Sequence, residues 1–129
     1  MDGTLESDLE HLLHESINRV WNERDAGLRR QALAELYAAD ATLYEPDGVA
    51  IGPEAIANRV QELHAILGPV ARLEYAGPIL HHHGVAIGRW RVGPAGAPLA
   101  TGTDVVHLHD NVVSRMYVFI DVPPGDAAA

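Results

Sequence analysis

The sequence predicts a single α+β domain, with three helices packed on one face of a strongly curved, mostly antiparallel sheet. Three observations carry this. Apolar residues recur at helical spacing through most of the first half of the chain, up to Leu67. After residue 70 the apolar period falls from about 3.6 residues to about 2. The chain has 129 residues and no cysteine, so one core must hold it without disulfides, by burying roughly two-thirds of the surface the unfolded chain exposes.

Leu5, Leu9, Leu12, Leu13, Ile17, Val20 and Trp21 define the first helix. Ser7 with Glu10 forms a capping box, with Thr4 as the alternative cap. Asn22 to Asp25 breaks the run, and Asp25 caps a second helix carrying Leu28, Ala32, Leu33 and Leu36 on one face. A short strand follows over 41–45. Gly52-Pro53-Glu54 opens a third helix, with Ile56, Val60, Leu63 and Leu67 as its stripe and Gly68-Pro69 as its stop. Four strands then run over about 71–80, 84–92, 99–109 and 112–121. Gly77-Pro78 places a bulge or a sheet edge in the first of them. The domain spans 1–122, and 123–129 reads as a frayed tail.

Formal net charge is −9. Such a surface repels nucleic acid and anionic membranes, and favours small molecules or proteins as partners. The N-terminus lacks the pattern of a signal peptide, and no apolar run approaches the ~20 residues of a membrane span. The expected compartment is the cytoplasm.

The last hairpin locates the candidate chemistry. Asp110-Asn111 is a two-residue turn. Carried down the ladder, it sets Leu108 opposite Val113, Val106 opposite Arg115 and Asp104 opposite Tyr117. One face then holds Gly102, Asp104, Val106, Arg115, Tyr117, Phe119 and Asp121. The other holds Val105, His107, Met116, Val118 and Ile120. Its apolar content predicts a homodimer through that face. His107 and His109 share it, where a pH-sensitive interface role is favoured over a metal site. His81-His82-His83 reads as a solvated turn.

Within the first face, Asp104 is either half of an ion pair with Arg115 or a group that works on a ligand. Arg115 and Tyr117 either support it structurally or bind a ligand oxygen. Glu45 ends the strand A-T-L-Y-E and precedes Pro46. It is either a solvated strand end or a general base at the mouth of an apolar pocket. Trp90, Trp21, Tyr44 and Phe119 are core aromatics or walls of that pocket. Asp121 caps a strand end or faces the same space.

The stretches N-E-R-D, L-A-E-L-Y-A-A-D-A-T-L-Y-E-P-D-G, G-P-E-A-I, G-R-W and G-T-D-V-V-H-L-H-D-N-V-V-S-R-M-Y-V-F-I-D, in this order, resemble the SnoaL-like branch of the nuclear-transport-factor-2-like superfamily. The resemblance covers about residues 5–122. It implies a cone, in which a bent sheet wraps a deep apolar pocket closed by three helices, with dimers through the convex face. Against ketosteroid isomerases, Glu45 falls at the position of the base and Asp104 at that of an aspartic acid that donates to an oxyanion. The helix-one tyrosine of those enzymes falls near Ile17, which has no donor. The Arg-x-Asp of the epoxide hydrolases reads Gly102-Thr103-Asp104 here. For SnoaL-type polyketide cyclases, Asp104, Asp121 and a histidine are the available groups.

The expected function is cofactor-independent and metal-free proton transfer on a small, apolar, carbonyl-bearing molecule, as in isomerisation or aldol cyclisation. Glu45, Asp104, Tyr117 and Arg115 are the catalytic candidates. Trp90, Tyr44, Trp21, Phe119, Ile17 and Asp121 are the ligand-binding candidates. The alternative is a ligand-binding or dimerisation domain without chemistry.

Overall fold

The computed structural model describes residues 5–94 and 98–121. The candidate cap Thr4 and the tail 123–129 lie outside the described residues. Helix α1 (Leu5–Ser16) runs into a wide turn over Ile17–Trp21, closed by the Asn22 N–H on the Ile17 carbonyl at 2.9 Å. This i-to-i+5 bond turns Trp21 into the protein, and Leu13, Ile17, Val20 and Trp21 are buried. Helix α2 (Ala26–Leu36) begins where Asp25 Oδ1 accepts the Leu28 N–H at 2.9 Å, as the sequence predicts. Helix α3 (Pro53–Leu67) has its proline in the first turn and buries Ile56, Ala57 and Val60.

The strands are β1 (Tyr37–Glu45), β2 (Gly48–Ile51), β3 (Arg72–Tyr75), β4 (Leu80–His82), β5 (Val85–Gly93), β6 (Ala100–His109) and β7 (Val112–Ile120). They form one sheet in the order β2-β1-β7-β6-β5-β3, with β4 also on β5. Only the β1–β7 pairing is parallel. The three helices cover the concave side. The architecture is the expected α+β cone.

Three local features depart from the sequence reading. Strand β1 starts at Tyr37, directly after α2, and so is longer than 41–45. Residues 48–51, read as a loop, pair back on β1 as β2 through Glu45↔Gly48. The Gly77-Pro78 break divides the expected 71–80 strand into β3 and β4, both on β5, because proline lacks the N–H that a continuous ladder needs.

The largest departure is in the last hairpin. The Asp110-Asn111 turn forms, with φ of +52° and +65°, and pairs Leu108 with Val113 as predicted. The register then slips between His107 and Leu108. Ser114 is the extra residue, and its hydroxyl donates to the His107 carbonyl at 3.0 Å. Beyond this bulge Val106 pairs with Met116 and Asp104 with Val118. One inserted residue reverses the facing of every later side chain on the strand. Met116, Val118 and Ile120 therefore point inward with Asp104. Arg115, Tyr117, Phe119 and Asp121 point outward with Val105 and His107.

Two glycines let aromatic rings lie flat on the concave surface. A Cβ on Gly88 would sit 2.8 Å from the Tyr75 ring. A Cβ on Gly102 would sit 2.3 Å from the Trp90 ring and 2.1 Å from the Phe119 carbonyl oxygen. Gly102 pairs directly with Trp90, and Gly88 with Asp104. Gly102→Ala is predicted to lower unfolding free energy in urea by about 3 kcal/mol or more, because backbone must move. A midpoint equal to wild type would contradict this contact.

Candidate active site

A cavity of about 200 Å³ lies between the concave sheet, the Ile17–Trp21 turn and α3. Its walls are almost wholly apolar, with Trp21, Leu63, Trp90, Val92, Met116 and Val118 among them. An engineered cavity of about 150 Å³ holds benzene, so this volume suits one ring with a short substituent.

Asp104 is the deepest polar group in the wall and is 2% exposed. The Tyr75 hydroxyl donates to its Oδ2 at 3.2 Å. No guanidinium joins it, because the Ser114 bulge sends Arg115 to the other face. Burial pushes the Asp104 carboxyl up to about 7, and the Tyr75 and Trp90 donors offset only part of that rise. Tyr75 is itself pushed well above its ordinary value, by burial first and then by the charge of Asp104. Trp90 Nε1 is buried without a hydrogen-bond partner of ordinary geometry among the described residues. A buried donor held only loosely by a carboxyl that titrates near neutrality is a place for a ligand oxygen.

Glu45 also lines the cavity. Its two oxygens accept from Arg59 Nε at 2.6 Å and from Arg59 Nη2 at 3.3 Å. Arg59 reaches it from α3 and also holds Glu62. A carboxylate gripped on both oxygens must give up a charge-assisted bond before it can take a proton from carbon. The strand-end position is as expected, but the free base is replaced by an ion pair.

In the opposite wall, His64 Nε2 lies 2.7 Å from the Trp21 carbonyl and Nδ1 lies 3.3 Å from Arg29 Nη2. Burial first, then the charges of Arg24 and Arg29, hold the imidazole below its ordinary value, so it is neutral and donates through Nε2. Arg29 is 1% exposed and donates to the Glu23 carbonyl and to Gln61 Oε1. This cluster ties the α1–α2 connection to α3 and fixes Trp21 against the cavity. A second polar knot, Ser16 with Tyr37 at 2.6 Å and Trp21 Nε1 with the Tyr37 hydroxyl at 3.1 Å, fixes the other side of the same ring.

Glu45, Asp104, Trp90 and Trp21 thus meet at one cavity. Ile17 is buried in the helix–sheet core. Arg115, Tyr117, Tyr44, Phe119 and Asp121 do not reach the cavity. Tyr44 stacks on Tyr117 outside, with centroids 4.6 Å apart. Phe119 is 56% exposed. Asp121 pairs with Arg89 at 2.7 Å and accepts from Thr101 at 2.6 Å. Tyr75 and His64 were missed by the sequence reading, as were Met116, Val118 and Ile120 as walls. Gly88, a glycine inside a strand, was the available sign that a ring packs closely on β5 near Asp104. Among the described residues no group of three acidic, histidine or cysteine side chains is placed to hold a metal ion. None of the described helices is long and apolar enough to cross a membrane.

No family model matches the sequence, and no curated protein matches it. Solved structures do match in fold. A crystal structure from Agrobacterium tumefaciens, of a protein proposed to be an isomerase of the SnoaL-like family, superposes with a TM-score of 0.82 at 24% identity, over 90% of this chain and 99% of that one. A SnoaL-like protein from Jannaschia, proposed to be a polyketide cyclase, gives 0.76 at 13%, over 94% and 90%. A protein from Kribbella flavida, proposed to be a ketosteroid isomerase, gives 0.68 at 19%, over 92% and 84%. The chain has the fold these proteins share.

Asp104 titrates at 3.8 when exposed and near 7 when folded. Its folded state holds a proton that the unfolded chain has lost, so stability is full below the lower value and falls as pH rises toward the higher one. Asp104→Asn removes that penalty. It is predicted to stabilise the protein by roughly 2–4 kcal/mol at pH about 8 and by little at pH about 3. Urea unfolding at the two pH values reads this, and a variant less stable than wild type at the higher pH would contradict it.

Proposed function

We propose that this protein is a small enzyme that moves a proton at carbon in an apolar, carbonyl-bearing molecule, with Asp104 as its acid–base group. The observation that carries the reading is the Asp104 carboxyl, buried in an apolar cavity and poised near 7. A group whose pKa lies near the working pH both takes and returns a proton efficiently. Trp90 Nε1 supplies a donor to the substrate oxygen, and its preorganisation inside a dry wall makes that bond count when charge develops. Glu45, held by Arg59, acts on the cavity's field and shape. The proposed isomerases and polyketide cyclases that share the fold support this class of chemistry.

The test needs no known substrate. The protein is incubated in heavy water with small cyclic ketones and diketones, and exchange at the carbon beside the carbonyl is followed by NMR. Wild type is expected to speed exchange of at least one compound, with a break in the pH profile near 7. Asp104→Asn is expected to lose about a hundredfold or more. Exchange unaltered by Asp104→Asn would overturn the assignment.

A second reading is a binding domain without turnover. The Glu45–Arg59 pair favours it, since the carboxylate at the base position is already occupied. Saturable binding of a ketone without exchange would select it.

We also propose that the convex face forms a homodimer. Leu80, Ile87, Val105, Tyr117, Tyr44 and Val49 are consecutive pairing partners across six strands. Leu80, Ile87 and Val49 are exposed, as is the neighbouring Phe119. This row, with His107, replaces the surface anticipated from Met116, Val118 and Ile120, which face the cavity. Sedimentation at micromolar concentration is expected to show a dimer, and Val105→Asp a monomer that keeps its fold. A monomeric wild type would overturn the proposal.

A further inference from the structure

We infer that the ligand of this cavity is an acid: an apolar body with an anionic group, a carboxylate by preference, seated on Arg24 where the cavity opens. The inference rests on the cavity being a ligand site. Four ionisable groups line the wall: Asp104, Glu45, His64 and Arg24. None of the first three presents a free positive charge, and two of them are compensated outright. Asp104 is pushed up to about 7 by burial, so it is protonated below neutrality and shares its proton near it. Glu45 is neutralised by Arg59. His64 is neutral and satisfied on both nitrogens. Arg24 is the cation of the wall, and among the described residues no carboxylate pairs with it.

Arg24 is also held in place. Its Nη2 donates to the Gly68 carbonyl at 3.0 Å and to the Ala71 carbonyl at 2.9 Å. These anchor it at the end of α3 and the start of the following strand. Its Nη1 and Nε hydrogens have no partner among the described residues. The two acids beside it in sequence form no ion pair with it. Glu23 accepts the Asp25 N–H at 3.1 Å, and Asp25 accepts the Leu28 N–H. Arg19, Arg30, Arg59, Arg89 and Arg91 all hold carboxylates. A planar guanidinium with free donors, fixed beside apolar walls, matches a carboxylate in geometry and charge. Arg24 is exposed, so the anionic group sits at the opening while the body reaches inward. The far end meets Trp90 Nε1 and Asp104, which ask for an oxygen.

Phenylbutyrate and phenylbutanol test this as a matched pair, with the same ring and chain and different head groups. Binding is read by titration calorimetry and by quenching of Trp21 and Trp90. The acid is expected to bind wild type about tenfold tighter than the alcohol, a difference of about 1.4 kcal/mol. That preference is expected to shrink with added salt and to vanish in Arg24→Gln. If Arg24→Gln does not fold, the salt dependence of the wild-type preference carries the test. Equal binding of acid and alcohol to wild type would overturn the inference and leave the cavity reading intact. An acid preference that survives Arg24→Gln, or that ignores salt, would also overturn it. Binding of neither compound would overturn the inference and the cavity reading together.

Discussion

The bulge at Ser114 decides what this fold presents to its cavity. Strand β7 lies at the centre of the sheet, paired on one side to β6 and on the other, in parallel, to β1. Its facing therefore sets the composition of both surfaces. With the slip, the concave side receives Met116 and Val118, and the convex side receives Arg115, Tyr117 and Phe119. The cavity becomes almost purely apolar around a single carboxyl. Without the slip, Arg115 would neighbour Asp104 and hold it as an ordinary ion pair. The residue inserted at Ser114 accordingly keeps a guanidinium away from Asp104 on the adjacent strand.

The floor of the site depends on a second constraint. Gly88 and Gly102 lie beside Asp104 and Trp90 in the β5–β6 ladder, and each leaves room for one flat ring. Tyr75 uses the first to reach Asp104, and Trp90 uses the second to form the wall. A carboxyl so enclosed costs the folded state stability as pH rises through the window from 3.8 to about 7, and keeps that cost above it. Residues that lower stability where a polar ligand would meet them are expected at sites kept for function. The opposite wall is built differently. Trp21 is pinned by a neutral histidine, a buried arginine and a tyrosine hydroxyl, and these polar groups are all satisfied.

Much of the fold was legible in the sequence. Helical spacing, Asp25 as cap, proline at the start of α3 and the Asp110-Asn111 turn each have local causes. The site was legible in part. Glu45, Asp104, Trp90 and Trp21, all named as candidates from the sequence, line one cavity. The errors on Arg115, Tyr117, Phe119 and Asp121 share one origin. Residues 112–120 are apolar on both faces, so alternation does not vote for a register, and one extra serine leaves no trace in the pattern. The Glu45–Arg59 pair and the Arg29–His64 cluster join residues far apart in the chain, which no local spacing encodes.

The chemistry proposed for this cavity depends on the protonation of Asp104. A carbon-detected NMR titration of its side-chain carboxyl, assigned with Asp104→Asn, tests it most directly. A midpoint near 7 is expected, moved by Tyr75→Phe because a donor to the carboxylate is lost. A midpoint near the ordinary ~3.9 of an exposed aspartate would mean that water or a cation reaches Asp104. The acid–base reading would then be contradicted.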